Sequence, residues 1–260
     1  MKKLGFIGMG NMAGAIALGI VKSGFLKGQD MIAYDVVDEQ LDKVRQHHFA
    51  IAQSEKEVVN NSEIVFIGVK PQVVEKVLAP LKDDLKNKAL ISIVLGYDFA
   101  KYNTILDEST RHIFVMPNTP AMVLKGMSLI EEEHSLHLDE FEFVKGIFSS
   151  IGEIEVVPSH LMGAAGTLSG CGPAFIYMVI EALADGAVKE GVPRAMAYKL
   201  ASQTVLGSGM MQLESQLHPG VLKDQVCSPG GSTIRGVEAL EKGNIRAAFI
   251  EAISSAVHYK

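Results

Sequence analysis

The chain has no tryptophan, only two cysteines (Cys171 and Cys227) and no dense run of lysine or arginine. Each scarcity removes a class of protein. Two cysteines cannot staple a small secreted scaffold, and a reduced setting is the default for so few. The eight histidines are scattered. His47, His48, His134 and His137 fall in polar stretches with no cysteine or carboxylate cluster at ligand spacing, so no metal site is expected. With 24 basic against 30 acidic residues the net charge is −6, which argues against nucleic acid or an anionic membrane as the main partner. No uninterrupted apolar run reaches the length needed to span a bilayer. Lys2 and Lys3 followed by apolar residues and Ala13-x-Ala15 resemble a leader, but the glycines and Asn11 interrupt that stretch. The expectation is a cytoplasmic protein.

What is present is apolar and ordered. Of the 260 residues 48% are hydrophobic, enough for one large domain or two modest ones with surface left for a subunit interface. Short apolar runs at Leu4–Ile7, Met31–Tyr34, Ile64–Ile67, Ala89–Val94 and His112–Val115 read as strands. Helical patterns, including Glu39–His47 and Gln72–Leu78, lie between them. That alternation predicts a parallel sheet with crossover helices. Gly126–Ile130 and Glu153–Val157 could extend the sheet, with Asp139–Ser149 as a helix between them. Beyond Pro158 only helical stretches follow: Pro173–Glu190, Arg194–Gln212, Ser232–Glu241 and Ile245–Tyr259. Their repeated Ala and Gly suggest close helix packing. The predicted fold is α/β: a Rossmann-type doubly wound sheet over residues 1–157, then an all-α domain over 158–260.

Two motifs carry chemistry. In LGFIGMGNMAGA, Gly8, Gly10 and Ala13 occupy the G-x-G-x-x-A positions between a strand and a helix. Gly8 permits the tight turn, Gly10 lets a pyrophosphate approach the backbone, and Ala13 lets helix and strand pack closely. Met9, Asn11 and Met12 complete this cofactor loop. Asp35 closes the second strand roughly 20 residues further on, where a carboxylate would accept from a ribose 2′-OH and repel a 2′-phosphate. The loops after later strands, Val69-Lys70-Pro71-Gln72 and Met116-Pro117-Asn118-Thr119-Pro120, would line the crevice at the carboxyl ends of the strands, with Lys70 and Asn118 as donors. The second motif, DQVCSPGGSTIRGVEALEKG from Asp224 to Gly243, places Pro-Gly-Gly before a helix beginning with Ser232 and Thr233. Such a start can bind a carboxylate. Taken alone, it equally describes an ordinary capped helix after a loop.

In order and spacing, GMGNMA, VKPQ, MPNTP, SGCGPAF (Ser169–Phe175), EALADG (Glu181–Gly186) and SPGGSTI (Ser228–Ile234) resemble the pyrroline-5-carboxylate reductase family from about Leu4 to Ala256. The resemblance implies hydride transfer from NADPH or NADH to a cyclic imine, completing proline biosynthesis. It implies a homodimer interlocked through the C-terminal helices, with decamers in several members. It also implies a site built from two chains, so that monomers are inactive. It assigns the substrate carboxylate to Gly230, Gly231, Ser232 and Thr233, and a catalytic hydrogen bond at the ring nitrogen to Thr233. Gln225 falls where similar enzymes place a polar residue near the cofactor.

The chain departs from the family pattern in four places. Asp35 replaces a neutral or basic residue and Glu55 replaces an Asn of NADPH-using members, which leans the expectation towards NADH. Cys171 stands where Ser is common and reads as a small buried residue. Ser159 stands where some members carry Glu. Three other activities share parts of this pattern. A β-hydroxyacid dehydrogenase would need a K-x-x-N motif, absent from residues 158–260; an imine reductase of different ring specificity and a non-catalytic dinucleotide-binding protein are the others.

Overall fold

A computed structural model describes residues 1–259. Among these residues the sheet has eight strands: β1 (Lys2–Ile7), β2 (Met31–Tyr34), β3 (Ala50–Ile51), β4 (Ser62–Ile67), β5 (Ala89–Ser92), β6 (Arg111–Met116), β7 (Gly126–Glu131) and β8 (Gly152–Val157). Their order is β3-β2-β1-β4-β5-β6-β7-β8. The chain winds outward from β1 in one direction and from β4 in the other, which is the doubly wound arrangement and places the switch point between β1 and β4. Helices α1 (Asn11–Ser23), α2 (Asp38–Arg45), α3 (Glu55–Asn61), α4 (Val74–Leu78), α5 (Phe99–Asn103) and α6 (Leu138–Ser149) connect the strands. One apolar cluster, including Phe6, Ile16, Phe66, Val115 and Phe148, fills one side of the sheet. A second, including Ile7, Val65, Leu90 and Tyr102, fills the other. Both faces of β1 and β4–β6 are covered, which explains their continuous apolar runs.

Gly126–Ile130 and Glu153–Val157 extend the sheet as expected, with a direction that the sequence did not specify. β7 runs antiparallel to β6, with Val115 opposite Ile130, and β8 then runs parallel to β7. The turn from Asn118 to Lys125 is too short for a crossover helix, so the chain reverses there.

After β8 come α7 (Met162–Lys189), α8 (Arg194–Ser215), α9 (Pro219–Gln225), α10 (Ser232–Lys242) and α11 (Ile245–Val257). Two compact units divide this chain, Met1–Gly170 and the part from Cys171 on. α7 begins well before Pro173, which lies in its interior rather than at its start. By length and composition Ser159–Lys189 is also long and apolar enough to cross a membrane, contrary to the reading by uninterrupted runs. Its glycines, serines and threonines interrupt the run without lowering the average much. Cys171 is exposed, not buried, and Cys227 is half-buried.

Candidate active site

The cofactor loop is built by backbone geometry. Gly8 has φ +87°, where a side chain would be strained, and a Cβ there would meet Val69 at 2.8 Å. Its N–H donates to the Tyr34 carbonyl at 2.9 Å, while the Gly68 N–H donates to the Ile7 carbonyl at 2.9 Å. A Cβ on Gly68 would lie 2.6 Å from that of Ala13. The fingerprint thus meets the β4 loop carrying Val69, Lys70 and Pro71, of which Lys70 and Pro71 are exposed.

Gly10 caps α1 with no side-chain hydrogen bond. Among the described residues, the N–H groups of Asn11, Met12 and Ala13 have no hydrogen-bond partner. A Cβ on Gly10 would have nothing within 4 Å, so the protein's own packing does not demand a glycine there. An uncapped helix start with open space before it suits a pyrophosphate, and the residues present fit a dinucleotide.

Asp35 is half-buried and bonded on both oxygens. Oδ2 accepts from the Met9 N–H at 2.6 Å and Oδ1 from the Val37 N–H at 2.8 Å. The carboxylate therefore holds the glycine loop against the β2–α2 loop, a role that spacing did not reveal. Burial, then the negative charges of Glu55 and Asp35, pushes the Tyr34 hydroxyl above its ordinary pKa. Asp35 and Glu55 thus place two carboxylates close enough to act on the Tyr34 hydroxyl at the end of β2. The basic side chains nearby in sequence are engaged elsewhere: Arg45 pairs with Asp38 and Asp42, and Lys56 with Asp84.

Asn118 is only 7% exposed. Its Oδ1 accepts from the Met127 N–H and its Nδ2 donates to the Ser169 carbonyl, both at 2.9 Å. The amide expected to face a cofactor is committed within the protein, so any cofactor contact from this loop falls to its backbone.

In the helical unit, Gly230 (φ +69°) turns the chain into α10. Gly231 caps this helix with no side-chain bond, and its N–H is taken by the Ser228 carbonyl at 3.0 Å. Among the described residues the N–H groups of Gly230, Ser232, Thr233 and Ile234 have no partner, nor do the Ser232 and Thr233 hydroxyls. Ile234 was not expected as a donor, although its place in the first helical turn predicts one. Ser232, Thr233 and Gln225 are exposed. No group of three or more potential metal ligands occurs among the described residues.

A family model for pyrroline-5-carboxylate reductase dimerisation matches residues 159–260. One described as coenzyme F420-dependent NADP oxidoreductase matches residues 3–96. The chain is 42% identical over 254 residues to a pyrroline-5-carboxylate reductase of Methanosarcina acetivorans, covering 97% of this chain and 94% of that protein. It is 42% identical over 260 residues to the Arabidopsis thaliana reductase, covering 98% and 92%. The chain belongs to the pyrroline-5-carboxylate reductase family. A crystal structure of Plasmodium falciparum pyrroline carboxylate reductase with NADP bound superposes with a TM-score of 0.88 at 32% identity, covering 98% of this chain and 95% of that one. Within this reductase family, the dimerisation match gives a reason for the apolar length of α7: a subunit interface needs such faces as much as a bilayer does.

Proposed function

We propose that the chain reduces 1-pyrroline-5-carboxylate to L-proline, using NAD(P)H, as the last step of proline biosynthesis. The observation that carries this reading is the start of α10. There, free N–H groups at Ser232, Thr233 and Ile234 lie beside two unbonded hydroxyls. A helix start with spare donors binds a carboxylate through the backbone, aided by the helix dipole. The Thr233 hydroxyl then orients the ring nitrogen. A threonine hydroxyl is too weak an acid to protonate an imine unaided, so the iminium proton comes from water. When bound, the reduced nicotinamide supplies the hydride. What the protein adds is chiefly juxtaposition of donor and electrophile.

Gly8 to Ala13, Val69, Lys70, Pro71, the Asn118 loop backbone and Gln225 are read as the cofactor contacts, and Asp35 with Glu55 favours NADH over NADPH. We read the assembly as a homodimer through the C-terminal helices, able to extend to a decamer. We place the protein in the cytoplasm, with the domain boundary at residues 157 and 158. Light scattering separates dimer from decamer.

The first test follows absorbance of the reduced nicotinamide with pyrroline-5-carboxylate and either NADH or NADPH. Oxidation, faster with NADH, is expected. A folded oligomer that binds dinucleotide but oxidises neither would end the assignment. Thr233→Ala should lower kcat/KM about tenfold, the scale of one lost hydrogen bond. Unchanged kcat and KM would remove Thr233 from the mechanism.

A further inference from the structure

Pro173 lies inside α7. Lacking an N–H, it cannot donate to the carbonyl four residues back, and its ring crowds that carbonyl. The carbonyl is that of Ser169, and it accepts instead from Asn118 Nδ2 at 2.9 Å. Asn118 is itself fixed before it reaches the helix. Its Oδ1 accepts from the Met127 N–H at 2.9 Å, and its carbonyl accepts from the Ala121 N–H at 3.2 Å. The bond is part-buried, between the nearly buried Asn118 and the half-buried Ser169.

We propose that Asn118 is a positioning residue whose amide stands in for the N–H that Pro173 lacks, latching α7 to the turn between β6 and β7. The place of the latch gives it consequence. Ser169 lies one residue short of the end of the first compact unit, which closes at Gly170. Gly170 and Gly172 flank the junction, and a Cβ on either would have nothing within 4 Å. A broken hydrogen-bond ladder beside two glycines is where a helix bends most easily. The latch secures the one carbonyl that the break frees. The residues from Cys171 on, Thr233 among them, follow this point in the chain. A loosened α7 is expected to lower turnover while leaving the dinucleotide's own contacts intact. The kinetic part of this inference rests on the imine-reducing function proposed above.

Three variants test it: Asn118→Ala, Pro173→Ala and the two combined. Asn118→Ala should lower kcat about tenfold, as small misplacements at a reacting centre do. It should leave NADH Kd, read by fluorescence titration, within about twofold, and speed amide exchange around residues 169–174. Pro173→Ala restores an N–H to the helix, so the Ser169 carbonyl no longer needs Asn118. The combined variant should regain both kcat and exchange protection. Weakened NADH binding in Asn118→Ala without rescue would make Asn118 a cofactor ligand and overturn the latch, as would unchanged kcat and exchange. If Asn118→Ala alone does not fold, a folded oligomer from the combined variant supports the latch, and its failure overturns it. The exchange comparison needs no substrate, so a wild-type protein inactive on pyrroline-5-carboxylate would end the functional reading and still leave the latch testable.

Discussion

The two compact units treat their apolar residues in opposite ways. In the first, Phe6, Phe66, Tyr102 and Phe148 are fully buried against the sheet. Among the described residues beyond Cys171 only Ala184, Ala197 and Ala201 are buried, while Met178 is 68% and Ile250 71% exposed. Open space surrounds the Cβ positions of Gly186, Gly207, Gly209 and Gly236 in the same helices. The first unit completes its core with its own elements. The second displays an apolar surface that needs another chain to cover it, in keeping with the dimerisation family it matches. The first unit is closed by contacts within the chain, whereas the second leaves its apolar side chains uncovered.

The largest effect should come from breaking the second unit's surface. Met178→Glu is expected to dissociate the oligomer and abolish measurable turnover, because a charge buried at an interface without a partner is strongly destabilising. Dinucleotide binding by the first unit should survive. Light scattering with NADH titration reads both, and an active oligomeric variant would mean that this face is not the interface. Next is Gly10→Ala. Gly10 has φ −60° and an open Cβ direction, so melting temperature and assembly should be unchanged, while NADH affinity falls about tenfold or more as the methyl blocks the pyrophosphate. Full-strength binding would show that the space before α1 is not the pyrophosphate site.

Asp35→Ser should raise the NADPH-to-NADH ratio of kcat/KM about tenfold. It should also lower the NADH value itself, since the Met9 N–H loses its acceptor. A changed ratio with no NADH penalty would limit Asp35 to a charge effect. The smallest expected effect lies in the first unit's interior. Glu131 is 1% exposed and accepts from the Phe99 N–H at 2.8 Å. Burial raises its pKa despite that bond. The protonated form is therefore favoured on folding, and that contribution is complete in acid and lost as pH rises through the raised value. Glu131→Gln should leave stability unchanged below the ordinary carboxylate range and raise the melting temperature by about 2 °C near neutrality. A gain that does not grow with pH would contradict this account.

Much of the first unit was legible because each strand is a short apolar run bounded by glycine or a charged residue. Met31–Tyr34 matches β2 residue for residue and six other strands differ only at their ends, while the two-residue β3 (Ala50–Ile51) was not expected, being too short to show a pattern. The direction of β7 was not legible, since side-chain periodicity carries no sense of direction. The start of α7 was misplaced because proline usually opens helices. What permits Pro173 in the interior is an amide distant in sequence. The exposure of Cys171 was hidden for another reason: composition shows that a residue is small, not which chain covers it. At the site, the glycine fingerprint and the start of α10 were readable from turn chemistry. The bonds of Asp35 to two backbone N–H groups, and of Asn118 to α7, depend on tertiary contacts that no local pattern encodes.

One carboxylate, on Asp35, ties together two backbone segments and is the one proposed above to choose between coenzymes. Heredity cannot treat those duties separately. A lineage exchanging one coenzyme for the other at this position would first need a compensating change that steadies the loop, so the order of substitutions matters as much as their identity. On that proposal, coenzyme choice is constrained by history as well as by charge.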